Sequence, residues 1–213
     1  MADIKPIVVY VHKGGPNPYK VTITLEELGI PYEKVVIEDP KSAEFVKINP
    51  NGRLPAIIDP NTDLTLWESG AIVEYIVETY DKKGLLKGAT TNENWHIKQF
   101  VHFQMSGQGP YFGQAVWFHK YHPEQVPSAI ERYEKEILRV VSVLDGLLEG
   151  KKFLVGEKLT YADIVFIPWN GLLTNPLFKM DKLGEVAKEK YPNYVAWQER
   201  LDNLDSVKKA YGK

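Results

Sequence analysis

The first third of the chain combines short apolar runs with one amphipathic segment. Ile7–Val11 is rich in β-branched residues, which predicts a buried strand. Apolar residues at helical spacing follow from Tyr19 to Leu28, and a second strand is predicted from Tyr32 to Ile37. Strand, helix and strand in this order form a βαβ unit, so we expect a parallel pair with a right-handed crossover.

The next segment has the pattern of a hairpin followed by a helix. Turn residues at 59–63 separate two predicted strands, Ala56–Asp59 and Leu64–Trp67, which we expect to pair in antiparallel fashion. A short helical piece around 44–48 precedes them, and a helix from about Ser69 to Tyr80 follows. This order of elements is that of an α/β thioredoxin-like domain.

Beyond residue 91 the pattern becomes helical throughout. Helical periodicities cover residues 92–105, 114–120, 127–148 and 194–201, with a Gly/Pro interruption between the first two. The segment 158–174 is apolar nearly all round, which predicts one buried central helix, and Thr160 with Asp163 is typical of a capping box at its start. We therefore predict a thioredoxin-like domain over residues 1–81, a linker over 82–91 and an all-α C-terminal domain over 92–213.

Composition excludes several kinds of chemistry. Hydrophobic residues make up 44% of the 213 positions and the net charge is −2, so the chain has an ordinary globular balance and no basic surplus for nucleic acid. It has no apolar run that could span a bilayer and no apolar leader, so we expect a cytoplasmic protein without a membrane partner. The five histidines show no metal-ligand spacing, so we expect no metal. Cysteine is absent, so a catalytic thiol must come with a ligand.

Three short motifs carry candidate chemistry. Arg53-Leu54-Pro55 places a proline where a strand should begin, Glu68-Ser69 places an acid and a hydroxyl at a helix start, and Asn17 lies at the start of the first helix. A peptide backbone could pair beside Pro55, and a helix start with a hydroxyl can bind a carboxylate. Each motif also has a purely structural interpretation: an ordinary trans proline in an edge strand, a serine N-cap, and a turn asparagine.

In this order the motifs resemble the cytosolic glutathione transferases, over nearly the whole length from Val8 to about Tyr211. The resemblance is greatest to the nu-class bacterial disulfide-bond oxidoreductases and the related fungal transferases, which include the yeast nitrogen regulator. The residues that carry it are Pro16-Asn17 with Lys20, Asn49-Pro50-Asn51, Trp67 to Ile72, Phe103-Gln104, Gly107, Gly109-Pro110, Gly113-Gln114, Ala129 to Tyr133 and Pro168-Trp169-Asn170.

The resemblance implies a site for glutathione as co-substrate. It implies a cis Leu54–Pro55 bond, with the backbone of Leu54 pairing with the cysteinyl unit. Glu68 and Ser69 are the implied contacts of the γ-glutamyl end, and Arg53 and Lys41 those of the glycyl carboxylate. Asn17 is the implied catalytic group near the sulfur. The resemblance also implies that Arg132 points into the site and that Gln99 contributes across a homodimer interface. The implied second-substrate pocket comprises Gln108, Tyr111, Phe112 and Trp117.

The implied activity is activation of the glutathione thiol for attack on an electrophile. A glutathione-dependent disulfide reductase or peroxidase is the alternative within enzymes, and a non-catalytic glutathione-binding regulatory module is the alternative outside them. The yeast regulator carries a long Asn-rich extension, whereas this chain begins almost directly at its first strand, which favours an enzyme. One position departs from the nu class, because Gly15 replaces the threonine that lies two residues before the asparagine. Stabilisation of a thiolate would then depend on Asn17, backbone N–H groups and the helix terminus.

Overall fold

The chain folds into two compact units. The computed structural model describes residues 4–12, 14–174 and 180–213. The first unit comprises Met1–Lys87 together with Leu204–Lys213, and the second comprises Gly88–Asn203. The first unit is therefore formed from both ends of the sequence.

A four-stranded mixed sheet forms the centre of the first unit. Its strands are β1 (Ile7–Val11), β2 (Tyr32–Val36), β3 (Ala56–Asp59) and β4 (Leu64–Trp67), in the order β2-β1-β3-β4. The β1–β2 pair is parallel, and the β1–β3 and β3–β4 pairs are antiparallel. This arrangement confirms the predicted thioredoxin-like fold, including the βαβ unit and the hairpin.

Two helices, α1 (Pro16–Leu28) and α2 (Ala43–Val46), connect these strands, and a third, α3 (Ser69–Tyr80), follows β4. Pro16 occupies the first position of α1, where its missing N–H costs nothing. The helix ends at Gly29, whose φ of 64° gives the left-handed turn that glycine adopts most easily. α1 and α3 pack together through buried apolar side chains such as Val21, Leu25 and Ile76.

The second unit is helical in its described residues. Its helices are α4 (Thr91–Phe103), α5 (Gly109–Val116), α6 (Pro127–Leu147), α7 (Tyr161–Ile164), α8 (Ile167–Asn170), α9 (Asp181–Lys190) and α10 (Pro192–Asp202). Wider π-helical turns at Gln104–Gln108 and Trp117–Tyr121 extend α4 and α5, so the helical path is continuous across the expected Gly/Pro interruption. Pro110 lies near the start of α5, just after the first of these wider turns, and as a proline it donates no N–H to the helical path.

The prediction of one buried central helix over 158–174 is wrong. The segment is buried, but it divides into α7, α8 and a 3₁₀ turn at Gly171–Leu173. Pro168 cannot donate to the carbonyl of Ile164, so a regular α-helix cannot pass through this point. The short helices keep the apolar side chains inside while they change the direction of the chain.

Asp163 fixes the start of α7 from inside the helical unit. Its Oδ2 accepts from the backbone N–H of Thr160 at 3.0 Å and from the Thr160 hydroxyl at 3.1 Å. Its Oδ1 accepts from the N–H of Leu154 at 2.9 Å and from Nε1 of Trp197 at 3.0 Å. The capping box predicted from the sequence is confirmed, and it also joins two distant segments.

A last helix, α11 (Asp205–Tyr211), returns to the first unit and packs on α1. The Tyr19 and Tyr211 rings lie 4.2 Å apart between centroids. Lys34 Nζ donates to the carbonyl of Ala210 at 3.0 Å, and the Ser206 hydroxyl donates to Glu27. These last residues were predicted to belong to the helical domain, whereas these contacts are with the first unit.

Candidate functional site

The register of the sheet brings the candidate segments of the first unit to one edge. Tyr10 pairs with Ala56 across β1 and β3, and Ala56 pairs with Trp67 across β3 and β4. One row across the sheet therefore joins the end of β1, the start of β3 and the end of β4. Asn17 follows the end of β1, Pro55 directly precedes β3, and Glu68-Ser69 directly follow β4. The three segments therefore meet at the same edge.

The loop before β3 is held by a buried asparagine. Asn49 is only 2% exposed; its Nδ2 donates to the Arg53 carbonyl at 2.6 Å, and its Oδ1 accepts from the Asn51 N–H at 3.0 Å. The Leu54–Pro55 bond that follows is cis, as the resemblance implied. Asn49 was noted in the sequence only as part of the resemblance, and the structure gives it a definite part in shaping this loop.

The two predicted cations at this loop are both exposed. Arg53 lies just before the cis bond, and Lys41 Nζ donates to the carbonyl of Asn51 at 2.9 Å. Gly52, with φ of 58°, lies against Lys41, since a Cβ at Gly52 would be 2.8 Å from Lys41 Cδ. The loop therefore presents two positive charges next to the start of β3.

Glu68 and Ser69 have an unusual geometry at the start of α3. Glu68 is the N-cap residue with φ of 74° and ψ of 113°, a combination that residues with a side chain rarely adopt. Ser69 is the first helical residue and is 4% exposed, so the interpretation of Ser69 as the N-cap is wrong. Non-glycine residues held in such conformations concentrate at functional sites.

The start of α1 lies beside the start of α3. Lys20, which is 1% exposed, reaches from α1 to α3 and places its Nζ 3.4 Å from the Ser69 Oγ. Asn17 is the second residue of α1 and is half-buried, with Gly15 as the N-cap residue. Lys20 was not among the predicted site residues; it was quoted only as one of the residues that carry the resemblance, three positions after Asn17 on the same helix.

The second unit holds the other predicted site residues, and their environments differ. Arg132 on α6 and Gln99 on α4 are exposed, and Trp117 is 47% exposed. Tyr111 is half-buried, with its ring 6.3 Å from the ring of Tyr133. Their predicted roles as ligand contacts stay predictions.

Gln108 and Phe112 lie in the interior of the helical unit. Both are fully buried, and Phe112 belongs to its apolar core. Gln108 accepts from Gln104 Nε2 at 3.0 Å and donates to Asn170 Oδ1, and Asn170 donates in turn to Gln198 Oε1 at 2.7 Å. This buried amide chain satisfies both polar atoms of Gln108, so its contacts give no support for a place in a pocket wall.

Within residues 4–12, 14–174 and 180–213, no group of three or more His, Asp or Glu side chains is placed to hold a metal ion. Within the same ranges, no helix is both long and apolar enough to cross a bilayer.

Two family models match the chain. The model described as Glutathione S-transferase, N-terminal domain matches residues 5–78. The model described as Glutathione S-transferase, C-terminal domain matches residues 110–205. The first match lies within the first unit, and nearly all of the second lies within the second unit.

Known relatives agree with these models. The glutathione S-transferase-like protein gedE of Aspergillus terreus is 48% identical over 98% of this chain and 96% of its own length. The transcriptional regulator URE2 of Saccharomyces cerevisiae is 31% identical over 95% of this chain and 66% of its own length. The glutathione transferase URE2P6 of Phanerochaete chrysosporium, solved with oxidised glutathione, is 46% identical with a TM-score of 0.90, over 98% of this chain and 96% of that one. On these grounds the chain belongs to the glutathione S-transferase family.

Proposed function

We propose that this protein is a glutathione transferase that binds glutathione at the sheet edge of its first unit and activates the thiol for attack on an electrophile. The observation that carries the proposal is the row Tyr10–Ala56–Trp67, because it gathers three otherwise weak motifs at one edge. A solved relative, the URE2P6 protein, is in complex with oxidised glutathione, which supports the identity of the ligand.

The proposed ligand contacts follow the chemistry of the tripeptide. Glu68 would bind the γ-glutamyl ammonium, and Ser69 would bind the neighbouring carboxylate at the start of α3. The backbone of Leu54 would pair with the cysteinyl unit beside Pro55. The positive charges of Arg53 and Lys41 suit the glycyl carboxylate.

Activation of the thiol would depend on the start of α1. A thiolate there is stabilised by the helix dipole and by backbone N–H groups, and the Asn17 amide can donate to it. Gly15 provides no hydroxyl at the position where the nu class has threonine. We therefore expect a modest lowering of the thiol pKa.

The helical unit would provide the second-substrate side of the reaction. Tyr111 and Trp117 are the aromatic candidates for contacts with the electrophile, and Arg132 is the candidate cation. By family resemblance we expect a cytoplasmic homodimer, with Gln99 at the interface.

Two alanine variants test the site. Ser69→Ala should weaken binding of glutathione about tenfold, because a hydrogen bond to a charged group is lost. Asn17→Ala should bind glutathione normally but slow the turnover of an aryl halide about tenfold, because it acts at the sulfur. Calorimetric titration and steady-state kinetics measure the two effects, and Ser128→Ala, a serine in the first turn of α6, is the matched control. If Asn17→Ala keeps full activity and Ser69→Ala binds glutathione normally, the site assignment is wrong.

Two alternatives are each favoured by one observation. The solved relative with oxidised glutathione favours disulfide reduction, which would appear as faster turnover of a small disulfide than of an aryl halide. The relative that is a transcriptional regulator favours a non-catalytic binding module. Retention on immobilised glutathione without turnover of aryl halides, disulfides or organic peroxides would support the module.

A further inference from the structure

Lys20 is a buried lysine in the interior of the first unit. It lies on the face of α1 that also buries Val21 and Thr24, and its side chain is 1% exposed. Lysine is rarely buried to this degree, because removing an ammonium group from water is costly. A negative charge near such a lysine offsets part of that cost.

The contact of Lys20 with Ser69 fixes the direction of one hydroxyl. While Lys20 is charged, its ammonium group has three donors and no acceptor, so in the 3.4 Å contact the Lys20 Nζ donates and the Ser69 Oγ accepts. The hydroxyl hydrogen of Ser69 must then point away from Lys20. Because Ser69 is the first residue of α3, a hydroxyl that points away from its buried side can donate to an acceptor at the helix start.

The charges around Lys20 favour an anion at the same place. Burial lowers the pKa of Lys20 well below its usual value, and the negative charge of Glu68 opposes this shift. A ligand carboxylate beside Ser69 would act in the same direction as Glu68 and would stabilise the charged ammonium. Asn17 lies three positions earlier on α1, on the same helix face as Lys20.

We propose that Lys20 is a positioning residue that selects for the α-carboxylate of the γ-glutamyl group. It orients the Ser69 hydroxyl as a donor and places a positive charge behind it, without itself contacting the ligand. This role rests on the proposed binding of glutathione. It goes further because Lys20, which is not one of the proposed ligand contacts, would determine the preference for the α-carboxylate.

The test compares two ligands in two proteins. The ligands are glutathione and 4-aminobutyryl-cysteinylglycine, which lacks only the α-carboxylate. Calorimetric titration gives the dissociation constants for the wild-type protein and for Lys20→Met. We expect the wild-type protein to prefer glutathione and Lys20→Met to lose about tenfold of that preference, because its loss falls on glutathione alone.

A residue that only supports the fold would give a different result. Lys20→Met would then weaken both ligands by the same factor, and this outcome overturns the proposal. If the wild-type protein binds neither ligand, the proposed function is wrong as well. The role of Lys20 and the proposed function therefore fail in two distinguishable ways.

Two further variants keep the test valid if Lys20→Met does not fold. Lys20→Gln keeps a donor without the charge and should also lose preference for the carboxylate. Ser69→Ala in the wild-type background should lose the same preference, and adding Lys20→Gln to it should cost no more, because Lys20 acts through Ser69. Additive losses in the double variant would overturn the proposal.

Discussion

The carboxyl of Asp163 has an ionisation that is coupled to folding. Burial raises its pKa to about 6, although four hydrogen bonds from Leu154, Thr160 and Trp197 act in the opposite direction. The folded-state pKa then lies above the unfolded value, so the folded protein binds one more proton between pH ~4 and ~6. The corresponding stability is fully present below that range and is lost as the pH rises through about 6.

This coupling predicts a pH-dependent difference between the wild-type protein and Asp163→Asn. The shift from 3.8 to about 6 corresponds to roughly 3 kcal/mol. The free energy of unfolding of the wild-type protein, minus that of the variant, should therefore fall by up to this amount between pH ~4 and ~7. Urea titrations at several pH values measure it, and a difference that stays constant or widens would contradict the prediction.

At the scale of single residues, sequence patterns could predict local hydrogen bonds but not distant ones. Thr160 and Asp163 are three positions apart, so their capping box follows from a helix-start pattern. The bond from Trp197 to Asp163 spans 34 positions and has no local signal. For the same reason the contact between Ser69 and Lys20, 49 positions earlier, has no local signal in the sequence.

Among the helices, a buried glycine in α9 and an exposed glycine in α6 should respond oppositely to alanine. Gly184 lies inside α9, and a Cβ there would be 2.5 Å from the carbonyl oxygen of Leu173. Gly146 lies near the end of α6, and within the described residues no heavy atom beyond its chain neighbours and the nearby backbone of α6 lies within 4 Å of its Cβ position. Alanine is the better helix former at both sites, so the difference between them isolates the clash with the backbone.

We predict that Gly184→Ala lowers the free energy of unfolding by about 1–3 kcal/mol, because α9 must move from the 3₁₀ turn. Gly146→Ala should raise it by about 0.5–1 kcal/mol. Urea denaturation of both variants measures the pair. Equal effects at the two sites would show that α9 shifts at no cost.

At the scale of elements, the strands of the first unit were predicted closely because local patterns determine them. Turn residues bound β3 and β4, and Gly29 ends α1. The path through α7 and α8 was not predicted, since burial hides the helical period and only Pro168 signals the break. The amphipathic pattern of α6 has no such difficulty, and its bounds agree with the prediction within one residue.

At the scale of the whole molecule, α11 should control the stability of the first unit from the far end of the chain. Val207 is 3% exposed on the face that packs on α1, whereas the adjacent Lys208 is exposed. Val207→Asp should destabilise the protein by more than about 3 kcal/mol, because it buries an unpaired charge. Lys208→Asp is the matched control, with an expected change within about 0.5 kcal/mol.

Hydrogen exchange locates the effect. Amides of α1 should lose protection in Val207→Asp and keep it in Lys208→Asp, although α1 and α11 are far apart in sequence. Unchanged protection of α1 in Val207→Asp would mean that α11 contributes little to the first unit.

The division of function between a glutathione-binding domain and a second-substrate domain stays a prediction, because sequence patterns locate elements but not their partners.

The return of the chain to α1 also has a consequence for biosynthesis. The ribosome makes residues 1–87 first, but α11 follows only after the helical unit of residues 88–203 is complete. Throughout that interval the surface of α1 that α11 covers has no intramolecular partner and is open to chaperones or to other nascent chains. Domains generally fold in the order of synthesis; here the unit that is begun first is the one completed last.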